Sequence, residues 1–309
     1  MLFEYAIAPA TLFEAAKKRQ NYRSFMKEFQ IGNPKVISEF PSFKQYKKLV
    51  KHQFPQCSND NHESRLTELL MFIKSSLKVQ RCAEYNGLQT WEDNALDDHL
   101  RVPFDRLLSQ AKIGTDEELR LEQFLEGVDE IDKAETNIVV ERKAPQMAAA
   151  FSGILRLAER IILVDPYFRS KPRYWNTLSE FIRTSLDSRP GGPVAIEILY
   201  SDGSDQDKRS EAPDKPDVVM NAFQEKYPDL YERCAISFVS FNMPTGKPHN
   251  RYMLTNIGGV TSGAGFAEDF NQPNDDFSLL SKKSYEQRWD EYANGTGYHI
   301  TYYASNKNS

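Results

Sequence analysis

The chain has few cysteines, few histidines and no long hydrophobic run. Its 309 residues hold three cysteines, Cys57, Cys82 and Cys234, far apart and without a CxxC pair. Such spacing offers neither a disulfide framework nor a thiolate metal cluster, and free thiols in a reducing compartment are expected. The five histidines show no paired ligand spacing, which argues against a zinc motif. No metal or other cofactor is expected. Mean hydropathy is -0.61, and no apolar stretch approaches the length of a membrane span. The first twenty residues carry an acid at Glu4 and no early cation, unlike a secretory leader, so a cytoplasmic location is expected. The motifs GxxxxGK[ST], HExxH and GxSxG are missing; Gly246-Lys247 is followed by Pro248. Neither an internal repeat nor a Pro/Gly/Ser-rich linker divides the chain.

What is present suffices for one large or two ordinary cores: 40% hydrophobic, 12% aromatic and 27% charged residues. The net charge of -5 hides two opposed blocks. Residues 1–56 carry ten Lys/Arg against four acids, and residues 84–135 carry fifteen acids against five bases. The basic block is interleaved with Phe13, Tyr22, Phe25, Phe29, Phe40, Phe43 and Tyr46. Cations beside aromatics can neutralise phosphates and stack bases, which makes Lys17, Lys18, Arg19, Lys47 and Lys48 candidate nucleic-acid contacts. The same residues also fit an amphipathic helical segment with core aromatics and solvated lysines. The acidic block fits a solvated helix face.

Periodicity predicts helices over Leu12 to Phe29, His62 to Val79, Pro103 to Ala111 and Asp116 to Leu125, the last with a Thr115 cap. Residues 1–140 are therefore expected to form a helical domain. From about residue 141 the pattern changes. A helix-like run from Met147 to Arg160 leads into Ile161-Ile162-Leu163-Val164, a buried-strand signature closed by Asp165-Pro166. A helix to Leu186, a strand over Val194 to Tyr200, a helix over Asp217 to Arg233 and a strand over Ala235 to Phe241 follow. Paired strands at Tyr252 to Thr255 and Val260 to Ser262, a helix over Lys282 to Tyr292 and a final strand at Tyr298 to Tyr303 complete an α/β domain over 141–309. Ligands gather at the carboxyl ends of strands in such sheets, which points to Asp165, Ser201, Asp202 and the loop around His249.

Within Pro248 to Phe266, a histidine, a cation two residues later, an apolar strand and a glycine-rich return follow in order. Period-two geometry puts His249 and Arg251 on one face, and a glycine-rich turn lets backbone amides approach an anion. A surface loop with an ordinary Arg-acid pair would show the same spacing. Elsewhere, Glu141-Arg142-Lys143 with Asp105 fits half of a metal-dependent nuclease motif, a match common in chains rich in Glu and Lys.

The segment resembles the phospholipase D superfamily motif, His-x-Lys, four residues, Asp, then a Gly-Ser-rich strand. His249 matches the histidine, Arg251 occupies the lysine place and Asn256 the aspartate place, and Ser262-Gly263-Ala264-Gly265 stands at the Gly-Ser stretch. IILVDPYF, residues 161–168, is similar to the first strand of these domains. The resemblance implies a phospholipase D-like α/β sandwich with a mixed sheet over about residues 145–305, following the helical domain. It also implies phosphate binding by His249, Arg251, Asn256, Ser262, Gly263 and Gly265, with His249 the catalytic candidate. In the family the histidine forms a phosphohistidine, a second histidine protonates the leaving oxygen and the aspartate supports the first electrostatically. Here Asn256 adds no negative charge, Arg251 is larger and planar, and one motif is present. The ending GAGFAEDF also resembles the non-catalytic, membrane-binding domain of microtubule-interacting-and-transport proteins. Together these imply a degenerate binding or scaffold subunit, a pseudoenzyme acting as a homo-oligomer or within a hetero-complex. Its expected ligand is a phosphate-bearing polymer, nucleic acid among them, or a partner protein; such domains occur in prokaryotic anti-phage systems. The alternative is a metal-independent phosphodiesterase, a nuclease, pairing His249 from two subunits.

Overall fold

The computed structural model describes residues 1–203, 212–242 and 250–307. The chain forms two compact units, Leu2–Glu135 with Pro190–Gly192, and Thr136–Arg189 with the segment from Pro193 onward and Met1. Together they make a mixed α/β protein with one parallel and one mixed sheet.

The first unit runs β1 (Phe3–Ile7), α1 (Pro9–Lys17), α2 (Arg19–Glu28), β2 (Lys35–Glu39), α3 (Phe43–Lys51), α4 (Asp60–Ser75), β3 (Lys78–Gln80), α5 (Trp91–Arg101), β4 (Arg106–Leu108), β5 (Glu118–Leu119) and α6 (Leu121–Glu126). Its strands form a parallel sheet in the order β3-β2-β1-β4-β5. Alternation along β1 sends Tyr5 and Ile7 into one core with α1, α2 and α4, and Ala6 into another with Trp91 and Phe104. The expected helical domain over 1–140 is thereby corrected: the unit is built on a sheet. The helix expected over Pro103 to Ala111 is β4, whose adjacent Leu107 and Leu108 enter opposite cores. The helix expected over Asp116 to Leu125 is β5 followed by α6, and the one expected from Leu12 to Phe29 breaks at Lys18, where the backbone is extended.

Charges inside this unit are paired. Arg81 reaches Glu4 through Nε and Nη2 at 2.8 and 2.7 Å and Asp98 at 2.8 Å, with all three side chains almost wholly buried. Lys35 of the basic block pairs with Glu28 and with Asp132 of the acidic block, and Arg106 clamps Asp129 through two bonds at 2.8 and 2.6 Å.

The second unit runs β6 (Asn137–Glu141), α7 (Ala144–Ala150), α8 (Ser152–Leu157), β7 (Arg160–Val164), α9 (Pro172–Leu186), β8 (Ala195–Ser201), α10 (Pro216–Lys226), α11 (Pro228–Arg233), β9 (Ala235–Asn242), β10 (Arg251–Thr255), β11 (Gly258–Ser262), β12 (Asn274–Leu279), α12 (Lys282–Ala293) and β13 (His299–Ser305). The eight strands lie in the order β13-β9-β8-β7-β10-β11-β12-β6. The neighbours β7, β8 and β9 are parallel and every other pairing is antiparallel. Phe151, Phe181, Phe266 and Phe277 form one largely edge-to-face cluster in its core, and Phe168, Trp175, Phe223 and Phe238 form a second that mixes edge-to-face and tilted contacts. Among the described residues no helix is long and apolar enough to cross a membrane, and no group of three His, Cys, Asp or Glu could hold a metal ion.

Candidate functional site

Because β10 runs antiparallel to β7, its first residue stands at the carboxyl end of the parallel strands. Tyr252 pairs with Val164, which brings Arg251 level with Asp165, and Arg251 pairs on its other side with Ser262. Arg251, Ser262, Gly263 and Gly265 thus share one end of the sheet with Asp165. His249 lies outside the described residues.

Gly265 is the close point of this cluster. Its φ is +97°, and a Cβ there would stand 3.1 Å from Asp165 Oδ2 and 3.4 Å from Arg251 Cγ. The Arg251 guanidinium donates to the Gly263 carbonyl and lies over the Tyr167 ring at 4.6 Å. Asp165 is buried, accepts from the Tyr167 amide at 3.0 Å, and adjoins a cavity of about 30 Å³ shared with Phe168, Tyr174, Phe181 and Phe266. Burial in these apolar surroundings raises its carboxyl above the usual range. The Tyr167 amide and the guanidiniums of Arg251, Arg173 and Arg169 pull against that shift without cancelling it.

The glycine-rich stretch is held from within. The Ser262 hydroxyl donates to Asp275, whose carboxylate also accepts the Ala264 amide at 3.0 Å, and the Gly265 amide donates to Ser262 Oγ at 2.6 Å. Beneath it, buried Arg142 donates to the carbonyls of Ala264 at 3.3 Å and Ala267 at 3.0 Å and pairs with Asp269. Ala264 and Gly265 therefore spend their amides inside the loop rather than on a ligand. Sequence spacing did not single out Asp275 or Tyr167, and treated Arg142 only as the centre of a nuclease-like triplet. Lys143 of that triplet pairs with Glu141 at 2.5 Å, and Asp105 accepts the Glu4 amide in the other unit.

Asn256 lies at the other end of β10, about 16 Å away for a five-residue strand. Its side-chain oxygen accepts the amides of Glu159 at 2.9 Å and Arg160 at 3.2 Å, tying the β10–β11 turn to the start of β7.

The basic candidates sit in the first unit. Lys17, Lys18 and Arg19 are exposed at the junction of α1 and α2, and Lys17 pairs with Glu14 at 2.5 Å. Lys47 and Lys48 are exposed on α3, opposite buried Tyr46 and Val50. Of the interleaved aromatics, Phe13, Phe25, Phe29, Phe40 and Tyr46 are core residues, whereas Tyr22 and Phe43 are half-buried.

No family model and no curated protein matches the chain. Among solved structures it is similar to TrmBL2, an archaeal chromatin protein with a novel mode of DNA binding, at 12% identity and a TM-score of 0.28, with 54% of each chain covered. It is also similar to the phosphatidylserine synthase of Haemophilus influenzae Rd KW20, at 12% identity and a TM-score of 0.30, covering 61% of this chain and 48% of that one. The chain spans about half the length of the structures it matches, and at these scores neither likeness carries functional weight.

Proposed function

We propose that the second unit is a degenerate phospholipase D-like module that binds a phosphate-bearing polymer without cleaving it, as a binding or scaffold subunit. The observation that carries this reading is the state of Asn256. In the family the residue at its place lends negative charge to the attacking histidine; here it is neutral and its side-chain oxygen is spent on two backbone amides. Arg251, by contrast, stands at the ligand-gathering end of the sheet and presents a planar cation suited to phosphate oxygens. The test is fluorescence anisotropy of the intact protein with short single-stranded DNA and RNA in EDTA. Arg251→Gln should weaken binding by about ten- to a hundredfold, a charge-assisted contact being worth roughly 1.5–3 kcal/mol, and Arg251→Lys should restore part of it. Unchanged affinity in Arg251→Gln, with an unaltered melting temperature, would defeat the reading.

One observation favours a second reading, the metal-independent phosphodiesterase. Asp165 places an ionisable carboxyl group near Arg251, where Asn256 offers only a neutral amide.

A further inference from the structure

The first unit holds a feature that the site at Arg251 does not use. Between α2 and α4 lies an open groove of about 710 Å³ lined by Arg19, Tyr22, Arg23, Met26, Asn61, Ser64, Arg65 and Glu68. Three of the eight lining side chains are guanidiniums and one is a carboxylate, so the groove is cationic.

The arginines differ in how they are held. Arg65 is fixed: Nε donates to the Ala16 carbonyl at 2.6 Å and Nη2 to the Lys17 carbonyl at 2.8 Å, which secures the end of α1 beside the groove. Arg19 and Arg23, four residues apart on α2, are exposed, and among the described residues neither forms an ion pair. The groove's one acid is already engaged, because the Tyr22 hydroxyl donates to Glu68. That bond raises the Tyr22 hydroxyl pKa and fixes the ring, half-buried, at the groove wall. Lys18 precedes α2, and no side chain caps that helix start. Asn61 and Ser64 are exposed and add neutral hydrogen-bonding groups.

We infer that this groove binds a single-stranded nucleic-acid strand, with Arg19 and Arg23 on successive phosphates and the Tyr22 ring as a stacking surface. Two like charges one helical turn apart repel each other, and a polyanion passing between them relieves that cost. An immobilised ring beside unpaired cations is the combination that single-strand sites use. The size of the groove exceeds what one phosphate needs and suits a nucleotide or more. The groove is independent of the reading for the second unit.

The experiment is a salt titration of the full chain's affinity for a short single-stranded DNA, its duplex and polyglutamate. The wild type is compared with Arg19→Gln/Arg23→Gln, Tyr22→Leu and Arg251→Gln. The double variant should lose about tenfold in affinity at low salt, and its log-log salt slope should fall by about 1.4, two single-strand phosphate contacts at about 0.7 each. Its melting temperature should not move, since both side chains are exposed. Tyr22→Leu should weaken binding with little change of slope. Unchanged binding in the double variant, or duplex or polyglutamate bound as tightly as the single strand, overturns the inference. A loss confined to Arg251→Gln defeats the groove and leaves the reading of the second unit standing; a loss confined to the double variant does the reverse.

Discussion

Two side chains show how charge is handled at the scale of single residues. Arg81 spends its donors on Glu4, Asp98 and the carbonyls of Val102 and Pro103, and lies 3.4 Å from the Phe104 ring centre. Arg81→Met would leave Glu4 buried without a cation and Asp98 with Arg101 alone, so denaturant melts should show a loss of about 3–5 kcal/mol. Asp165 presents the reverse case. Its folded-state pKa is raised by burial, so its contribution to stability is full at acid pH and is lost as pH rises through the raised value. Asp165→Asn, which cannot ionise, should melt at or above the wild-type temperature at pH 7.5, and the difference should shrink as pH falls toward the ordinary carboxylate range. A difference that grows on acidification would mean that the ionised carboxylate is the stabilising form. The first pairing is not legible in local spacing, since Glu4 and Arg81 meet across 77 residues; Asp165 is legible as a strand-end candidate, but its burial and its arginine neighbours are not.

At the scale of elements, legibility follows how a strand is covered. β7 is four adjacent aliphatics closed by Asp-Pro, and β10 and β11 flank a two-residue turn, so spacing reveals them. β1 and β2 hide because each carries a charge inside the sheet, Glu4 and Lys35, neutralised by partners far along the chain. β4 has three residues, too few for any period, and its two leucines serve opposite faces. β6 and β12 hide behind polar residues, Asn137, Asn274, Asp275 and Asp276, of which Asp275 organises the glycine-rich return. That return is where a small change should act through the backbone. Gly265→Ala places a Cβ on a left-handed residue against Asp165, so it should destabilise the protein by at least about 1 kcal/mol and weaken any ligand held by Arg251. Calorimetry and the anisotropy assay report the two effects separately.

For the whole molecule, the net charge of -5 conceals an arrangement in which opposed blocks cancel where they are buried and diverge where they are exposed. Lys35 and Asp132, one from each block, form an internal pair, while Arg19 and Arg23 line an open groove. Each of the two units thus carries its own cationic feature, Arg251 at a sheet end in one and the α2–α4 groove in the other. The claim joining them is that the protein holds phosphodiesters without breaking them. It is tested most directly by incubating end-labelled single-stranded and duplex DNA and RNA with the full chain in EDTA, beside His249→Ala, and resolving the products on a denaturing gel. The expected result is intact substrate in both lanes, with binding seen in parallel by anisotropy; cleavage by the wild type that His249→Ala abolishes would contradict it.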